Sequence, residues 1–211
     1  MKLGTAALLT CGSKAPASPG TPYGGGFYVG RLKVDGVSYA LIVSSKASGE
    51  SSATLQAKAV NSATPGTDSV WDGAANQAAM MAAGVPALHP AAQFCENLTI
   101  GGYDDWVLPA RDQLELCYRN LKPGTLSNNT VSGINGSSDP AGNYYTAGMP
   151  AQTSLVAFKT GGAEAFEIGS YYWSSTQSGT LSYYQRFDDG GQPTGNKNTG
   201  YKVRAVRMVR I

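Results

Sequence analysis

The residues of this chain that could do chemistry are few, and they point to binding rather than to catalysis. The 211 residues contain one histidine, so a histidine-based triad could only use His89, and a multi-histidine metal site is excluded. His89 stands before Pro90 at a predicted helix start, where a capping or packing role is expected. The cysteines, Cys11, Cys95 and Cys117, fit neither a metal knuckle nor a disulfide framework. We expect Cys95 and Cys117 to be small buried side chains, with a bridge between them as the alternative.

Tyrosines and side-chain amides gather near the C-terminus. Tyrosine gives a large contact area at small entropic cost, and amides adapt their hydrogen bonds, which is typical of antibody-like recognition surfaces and also suits stacking on sugar rings. Asp188 and Asp189 could bind a hard cation with loop carbonyls, although such a pair is more commonly a solvated turn, and we predict neither metal nor cofactor. The alternative for the tyrosines is packing in the core or at a subunit interface. The predicted ligand-binding residues are Tyr183, Tyr184, Gln185, Asp188, Asp189, Gln192, Asn196, Asn198 and Tyr201.

Composition and charge exclude some classes of protein. Charged residues make up 14% of the chain and the net charge is +2, so the concentrated basic surface that nucleic acid requires is missing. No stretch approaches the roughly 20 apolar residues of a membrane helix. Glycine (27 residues) and tyrosine (12, against 5 phenylalanines) are frequent. This composition resembles that of a recognition or assembly protein more than that of a free cytosolic enzyme.

The N-terminal segment is predicted to be an extended arm. Residues 1–11 resemble a lipoprotein signal, but the charged and apolar parts together are short and threonine precedes Cys11, so we favour an arm. Residues 12–26 are rich in Gly, Pro, Ser and Ala and cannot bury a core. We therefore assign residues 1–26 to an attachment arm that docks on a partner or on the domain itself, and residues 27–211 to one domain.

The elements that position the candidate residues follow from local patterns. Two β-rich runs flank Asp35-Gly36 and predict a hairpin over residues 27–45. Helices are predicted over residues 74–83, capped by Asp72, and from Pro90 to residue 98. A short strand over residues 106–108 leads into a helix whose buried stripe includes Leu114. Residues 124–150 form a long polar loop, and strands are predicted over 170–176, 181–187 and 201–211, with Arg207 facing inward and needing a carboxylate or backbone partner.

Three separated motifs resemble one known family. Residues 102–109 (GYDDWVLP) resemble the G-x-x-D-W-x-L-P element of the Lcl C-terminal-type domain, residues 172–176 (YWSST) its Y-W-S-S-T strand, and residues 203–207 (VRAVR) its closing V-R-x-V-R strand. The resemblance covers residues 70–211 and implies a C-type-lectin-like, α+β fold, related to the formylglycine-generating-enzyme type. It implies two helices packed on a twisted antiparallel sheet with long loops. Trp106 and Trp173 are then core anchors, together with Leu114 and Arg207.

The chain departs from better-known relatives at their functional residues. Calcium-dependent lectins use an E-P-N or Q-P-D loop, whereas the nearest string here, Gln192-Pro193-Thr194, lacks the acidic ligand. The oxidases of this fold need reactive cysteines and copper, and the β-rich end here contains no cysteine. The resemblance therefore implies recognition without covalent chemistry.

The context in which such domains occur gives the functional expectation. They are found in tailed bacteriophages, in fibres and other virion surface proteins, which is an argument by association. We expect a non-enzymatic virion protein of the tail-fibre, receptor-binding type, assembled as a homotrimer, that contacts other virion proteins through its arm and recognises host polysaccharide or an outer-membrane component. The alternatives are a decoration or adaptor protein that cements neighbouring subunits, and an enzyme, which would need a polar cleft with a perturbed titrating group.

Overall fold

The computed structural model describes residues 14–84 and 86–211 as an α+β fold, as predicted. Its strands are β1 (Pro22–Tyr23), β2 (Gly26–Val34), β3 (Val37–Val43), β4 (Leu55–Gln56), β5 (Ser138–Asp139), β6 (Tyr171–Ser178), β7 (Leu181–Arg186), β8 (Thr194–Asn196), β9 (Gly200–Tyr201) and β10 (Val206–Arg210). Its helices are α1 (Lys46–Gly49), α2 (Gly73–Ala82), α3 (Pro90–Glu96) and α4 (Arg111–Leu121), with short 3-10 turns at Pro86–Leu88 and Val156–Phe158. Among these residues, no helix has the length and apolarity needed to cross a membrane.

The predicted N-terminal hairpin is confirmed and forms the centre of the main sheet. Asp35 and Gly36 have φ angles of 50° and 78°, and two successive positive values are what a type I′ turn requires. The antiparallel order of this sheet is β1-β2-β3-β10, with β5 also paired to β2. The N-terminal hairpin and the C-terminal strand β10 are therefore neighbours in one sheet.

The C-terminal strand differs from the prediction because it is divided between two sheets. β9 pairs with β4, whereas β10 pairs with β3. Between them, Val203 accepts a backbone hydrogen bond from Ser51, and Ala205 accepts one from Ser44. These residues connect the sheet that contains β9 to the sheet that contains β10, so residues 201–211 do not form a single strand.

A second antiparallel sheet consists of β6, β7 and β8. β8 lies between the predicted strands over 181–187 and 201–211, where no strand is predicted because its three residues (Thr, Gly, Asn) carry no β-type apolar pattern. The predicted strand over residues 106–108 is wrong. Only an isolated bridge joins Val107 to Val206 there, since the adjacent Leu108 amide donates to the Gln77 side chain rather than to a strand.

The predicted helices lie within two residues of their observed bounds. Asp72 caps α2 by accepting a hydrogen bond from the Ala75 amide at 2.9 Å. α3 begins at Pro90, and α4 follows Pro109 as expected. The apolar stripe of α4 is buried, including Leu114 at 1% exposure. Three polar residues of α4 are also buried, which the amphipathic pattern did not indicate: Asp112, Gln113 and Glu115.

The core has two main clusters. Trp106 and Trp173, 1% and 0% exposed, lie in the same cluster between α2, α3 and the second sheet. The other cluster packs the face of β2 and β3 against α4, with Leu114 and Phe187 among its members.

The described part of the predicted arm, residues 14–26, docks on the domain itself. Ala15 packs with Tyr28 and Ala40 in a small third cluster. Residues 1–13, the rest of the predicted arm, with Cys11, lie outside the described residues.

Candidate functional site

The long loop over residues 124–150 is held in place by buried carboxylates on α4. Glu115 Oε2 accepts a hydrogen bond of 2.6 Å from Asn135, and Glu115 Oε1 accepts one of 2.7 Å from the Tyr145 hydroxyl. One turn earlier, Asp112 Oδ2 accepts a hydrogen bond of 2.8 Å from Ser137. Burial raises the pKa of both carboxyl groups, and the neighbouring arginines and hydrogen bonds oppose that shift. The two carboxylates of α4 therefore accept hydrogen bonds from three side chains of the loop.

Cations on α4 and just after it also contact the loop. Arg119 pairs with Glu115 at 2.9 Å and donates to the carbonyl oxygens of Gly133 and Asn143. Just beyond the helix, Lys122 donates to Asn128 Oδ1 at 2.7 Å. Gly133 has φ 105° and an ideal Cβ there would lie 2.5 Å from the Tyr145 ring, so the close approach of loop to ring requires glycine. These contacts make the loop a rigid part of the domain.

This rigid loop presents apolar side chains to solvent. Of the nine large hydrophobic side chains that are exposed within the described residues, five belong to this one loop. Across residues 124–150 the only charged residue is Asp139. An uncharged surface with exposed apolar groups is typical of a contact site. The five residues are Leu126, Val131, Ile134, Tyr144 and Met149.

A shallow cleft of about 250 Å³ lies between this loop and the second sheet. Its walls combine Tyr183 and Gln192 of the predicted set with Arg111 at the start of α4. The Arg111 guanidinium lies 5.5 Å from the centre of the Tyr183 ring and is paired with Asp112 at 2.9 Å. We name this cleft, with its lining residues, the loop cleft. The loop contributes Val131, Ser132, Gly133, Ile134 and Tyr144.

The predicted binding residues do not form one surface, because consecutive strand residues point to opposite faces. Tyr183 lines the loop cleft, whereas its neighbour Tyr184 lies on the other face of β7, where it packs against Trp173 with ring centres 6.1 Å apart. Gln185 is 1% exposed and does not line the loop cleft. The structure therefore does not bring Tyr183, Tyr184 and Gln185 together at one surface.

Tyr184 belongs to a cluster of aromatic rings. Its ring centre lies 4.7 Å from that of Tyr201 and 5.1 Å from that of Tyr171. The Tyr201 ring lies 4.4 Å from Trp173. All three tyrosines are partly exposed, so the cluster both closes the core and faces solvent.

Asn196, the last residue of β8, and Asn198, which follows it, are both exposed. Asn196 Oδ1 accepts a hydrogen bond of 3.2 Å from Asn61, and the backbone carbonyl of Asn198 accepts one of 2.8 Å from Gln56. Within the described part of the chain, the carboxamide of Asn198 and the Nδ2 group of Asn196 have no hydrogen-bond partner. The register pairs Asn196 with Leu181 and Thr194 with Tyr183, so the alternation of β8 puts Asn196 on the face of Tyr183 rather than on that of Tyr184.

Asp188 and Asp189 are engaged by an arginine. Arg186 contacts Asp188 at 2.9 Å and Asp189 at 3.3 Å. Burial tends to raise the pKa of Asp188, but the hydrogen bond from Arg186 and further nearby donors outweigh it, so that this pKa is lowered. The described residues contain no group of three acidic, histidine or cysteine side chains that could hold a metal ion.

The residues assigned to the core are buried. Arg207 faces inward and forms two hydrogen bonds with Asp105, of 2.7 and 2.9 Å, and one with the Gly24 carbonyl. Arg204 was not predicted to be buried, yet it is fully buried and pairs with Glu164 at 2.9 Å and with Glu50 at 3.4 Å. Along a continuous strand, side chains alternate between the two faces, so an inward Arg207 implies an outward Arg204. The strand is interrupted between β9 and β10, so this alternation does not hold at Arg204.

Cysteine and histidine take structural positions. Cys95 and Cys117 are free and buried in different core clusters, which excludes the alternative of a bridge between them. Burial raises the pKa of the Cys117 thiol to about 12 and that of Cys95 further. The His89 ring is buried and lies within hydrogen-bond distance of the Ala57 carbonyl and the Thr64 hydroxyl, and burial lowers its pKa. His89 thus packs at the start of α3.

Taken together, these features define a class of protein: an α+β domain with an aromatic core and a long, rigidly anchored surface loop. The family is the Lcl C-terminal domain, to which this chain belongs, since residues 63–207, well over half of its length, match that family. No curated protein matches the chain.

Proposed function

We propose that this chain is a non-enzymatic recognition protein of the bacteriophage tail-fibre, receptor-binding type, which contacts a host surface component through the loop cleft. The observation that carries the proposal is the rigid, nearly uncharged loop with five exposed apolar side chains beside Tyr183 and Arg111. Tyrosine and arginine are enriched at the centres of binding interfaces. A loop that is already ordered loses little conformational entropy on binding, which favours affinity.

The test places a charge in the loop cleft without disturbing the core. Val131 is 80% exposed, so Val131→Asp leaves packing unchanged but adds a charge that binding would have to desolvate. Val156, 79% exposed and outside the loop cleft, gives the matched control Val156→Asp. Labelled full-length protein is incubated with a panel of intact bacteria that differ in surface polysaccharide and outer membrane, and bound protein is measured by flow cytometry.

We expect the unsubstituted chain to bind some strains and Val156→Asp to bind them equally well. Val131→Asp should bind at least tenfold more weakly, which corresponds to a loss of about 1.4 kcal/mol of binding free energy. Binding to no strain, or equal binding by Val131→Asp, would overturn the proposal.

A decoration or adaptor role is the second candidate, since the same exposed apolar loop could pack on a sister subunit. Antibody labelling of virions that contain the chain separates the two. Labelling at the fibre tips supports recognition, whereas a continuous lattice on capsid or tail tube supports the adaptor role. A trimer measured by light scattering would agree with the fibre assignment.

A further inference from the structure

We propose that a pocket between the N-terminal arm and the domain binds a small zwitterion, an apolar α-amino acid. The pocket lies where the arm, β2, α4 and β5 meet, and we name it the arm pocket. Its volume of about 370 Å³ lies within the range of small-molecule sites. The ligand and the residues differ from those of the proposed recognition function, and the inference does not depend on that function.

The arm supplies an apolar wall of this pocket. The Gly20 amide donates a backbone hydrogen bond of 2.7 Å to the Tyr28 carbonyl, which holds the arm on β2. Pro16 and Pro19 of the arm then line the pocket opposite Leu116 of α4. Because proline has a fixed φ angle, this wall loses little conformational freedom when a ligand binds.

Two opposite charges line the arm pocket without neutralising each other. Arg31 on β2 and Asp139 on β5 are directly paired positions of two antiparallel strands, and both side chains are exposed. Opposite charges at such positions commonly attract one another. Within the described part of the chain, however, neither side chain is in an ion pair. A cation and an anion of the pocket wall are therefore both open to a ligand.

The two charges lie near one buried hydroxyl group. Tyr28 lines the pocket and is 4% exposed. Burial raises the pKa of Tyr28, Arg31 opposes that shift, and Asp139 adds to it. Asn120 also lines the pocket, and its Nδ2 donates to the Val29 carbonyl at 2.9 Å, whereas its Oδ1 has no partner among the described residues. The wall thus offers an unused amide oxygen beside the two charges.

The balance of charge selects the class of ligand. The third charged residue of the wall, Arg119, is paired with Glu115 and donates to two carbonyl oxygens of the long loop. The charge that the pocket offers to a ligand is therefore zero. A simple anion would meet the Asp139 carboxylate, and a simple cation would meet the Arg31 guanidinium. A zwitterion satisfies both groups, with its carboxylate on Arg31 and its ammonium on Asp139.

The spacing favours a single amino acid over a peptide. Paired residues of antiparallel strands have Cα atoms about 4.5–5.5 Å apart, so Arg31 and Asp139 start from neighbouring points. An amino acid carries both charges on one carbon atom, whereas each further residue of a peptide separates the termini by about 3.5 Å. The side chain of the ligand would lie against Pro16, Pro19 and Leu116, which favours an apolar one.

The experiment is isothermal titration calorimetry of the full chain with leucine and with phenylalanine. Two blocked ligands test the charges one at a time, because N-acetyl-leucine lacks the ammonium group and leucinamide lacks the carboxylate. Arg31→Gln and Asp139→Asn each remove one charge from the arm pocket. Both positions are exposed, and circular dichroism checks that the variants fold.

The matched controls are Arg210→Gln and Asp35→Asn, which make the same chemical changes elsewhere. Both control positions are exposed and neither lines the arm pocket. Val131→Asp, in the loop cleft, should bind the amino acid normally, so failure of the loop cleft and failure of the arm pocket are distinguishable.

We expect leucine or phenylalanine to bind with a dissociation constant below about 1 mM. Each blocked ligand, and each pocket variant with the unblocked ligand, should bind at least tenfold more weakly, whereas the controls should not change. If a pocket variant does not fold, the blocked ligands still test the charge that it removes. Weaker binding of both amino acids than about 1 mM, equal binding of a blocked ligand, or a loss in only one of two folded pocket variants would overturn the inference.

Discussion

The hydroxyl of Tyr145 is expected to contribute strongly to stability, because it joins the long loop to a buried carboxylate. It donates to Glu115 Oε1 at 2.7 Å, and Tyr145 is 3% exposed. Burial and the Glu115 charge hold the pKa of Tyr145 far above its usual range, so the hydroxyl remains a donor at any pH at which the protein is studied. Tyr145→Phe removes only this oxygen, since the ring keeps its contact with Tyr118 at 5.4 Å.

The size of the effect follows from the burial of the acceptor. A hydrogen bond to a charged group contributes about 1.5–3 kcal/mol, and a buried acceptor that loses a donor is costly. Glu115 would keep its bonds to Asn135 and Arg119. We therefore expect Tyr145→Phe to lower the free energy of unfolding by about 2 kcal/mol. With a denaturant slope of about 2 kcal/mol/M, the urea midpoint falls by about 1 M.

The neighbouring tyrosine provides the control. Tyr144 is 61% exposed, so Tyr144→Phe should change the free energy of unfolding by less than about 0.5 kcal/mol. Both variants are measured by urea unfolding at neutral pH, followed by tryptophan fluorescence. Equal midpoints for the two variants would refute the reasoning that buried hydrogen bonds to α4 hold the loop.

Two further predictions concern buried cations. Arg204→Lys should lower the free energy of unfolding by about 3 kcal/mol, because one ammonium cannot replace a guanidinium that reaches the Ser44 carbonyl, Glu50 and Glu164 together. The control is Arg210→Lys, at an exposed position, which should not change the urea midpoint. Similar urea midpoints for the two variants would contradict this role of Arg204. Lys197 has its pKa lowered to about 8, chiefly by burial and also by Lys58, so the unfolded chain binds more protons between that value and the usual lysine value. Stability should therefore rise with pH from about 8 to 10 in the unsubstituted chain relative to Lys197→Met, and parallel pH profiles in thermal unfolding would show that Lys197 does not titrate as described.

Local patterns in the sequence predicted the elements whose signals are local. The Asp35-Gly36 turn, the Asp72 cap and the proline before α4 each depend on a few adjacent residues, and each is found where it was expected. The aromatic core was also within reach, because Trp106 and Trp173 occur in motifs that resemble a known family, and both fall in one cluster.

The arrangement of the candidate site could not be predicted from local patterns, because it depends on contacts between segments that are distant in the sequence. The predicted set assumed that tyrosines close in sequence share a surface, but the alternation of β7 separates Tyr183 from Tyr184. Residues 124–150 were predicted only to form a long polar loop. Its anchors, Asn135 and Tyr145, have no local signal, because their partner Glu115 lies on a helix whose pattern indicates an exposed position.

The buried polar groups of α4 explain how a low-charge, glycine-rich segment can be ordered. A loop of such composition has too few apolar contacts to order itself, so its order must come from the domain beneath it. Glu115 and Asp112 supply that order from below, and the apolar side chains of the loop are thereby left free to face outward. We therefore expect substitutions at loop residues that do not reach α4, such as Val131, to leave stability unchanged, whereas substitutions of Asn135 or Tyr145 should lower it. Under the proposed recognition function, the same α4 anchors could hold loops whose exposed side chains differ.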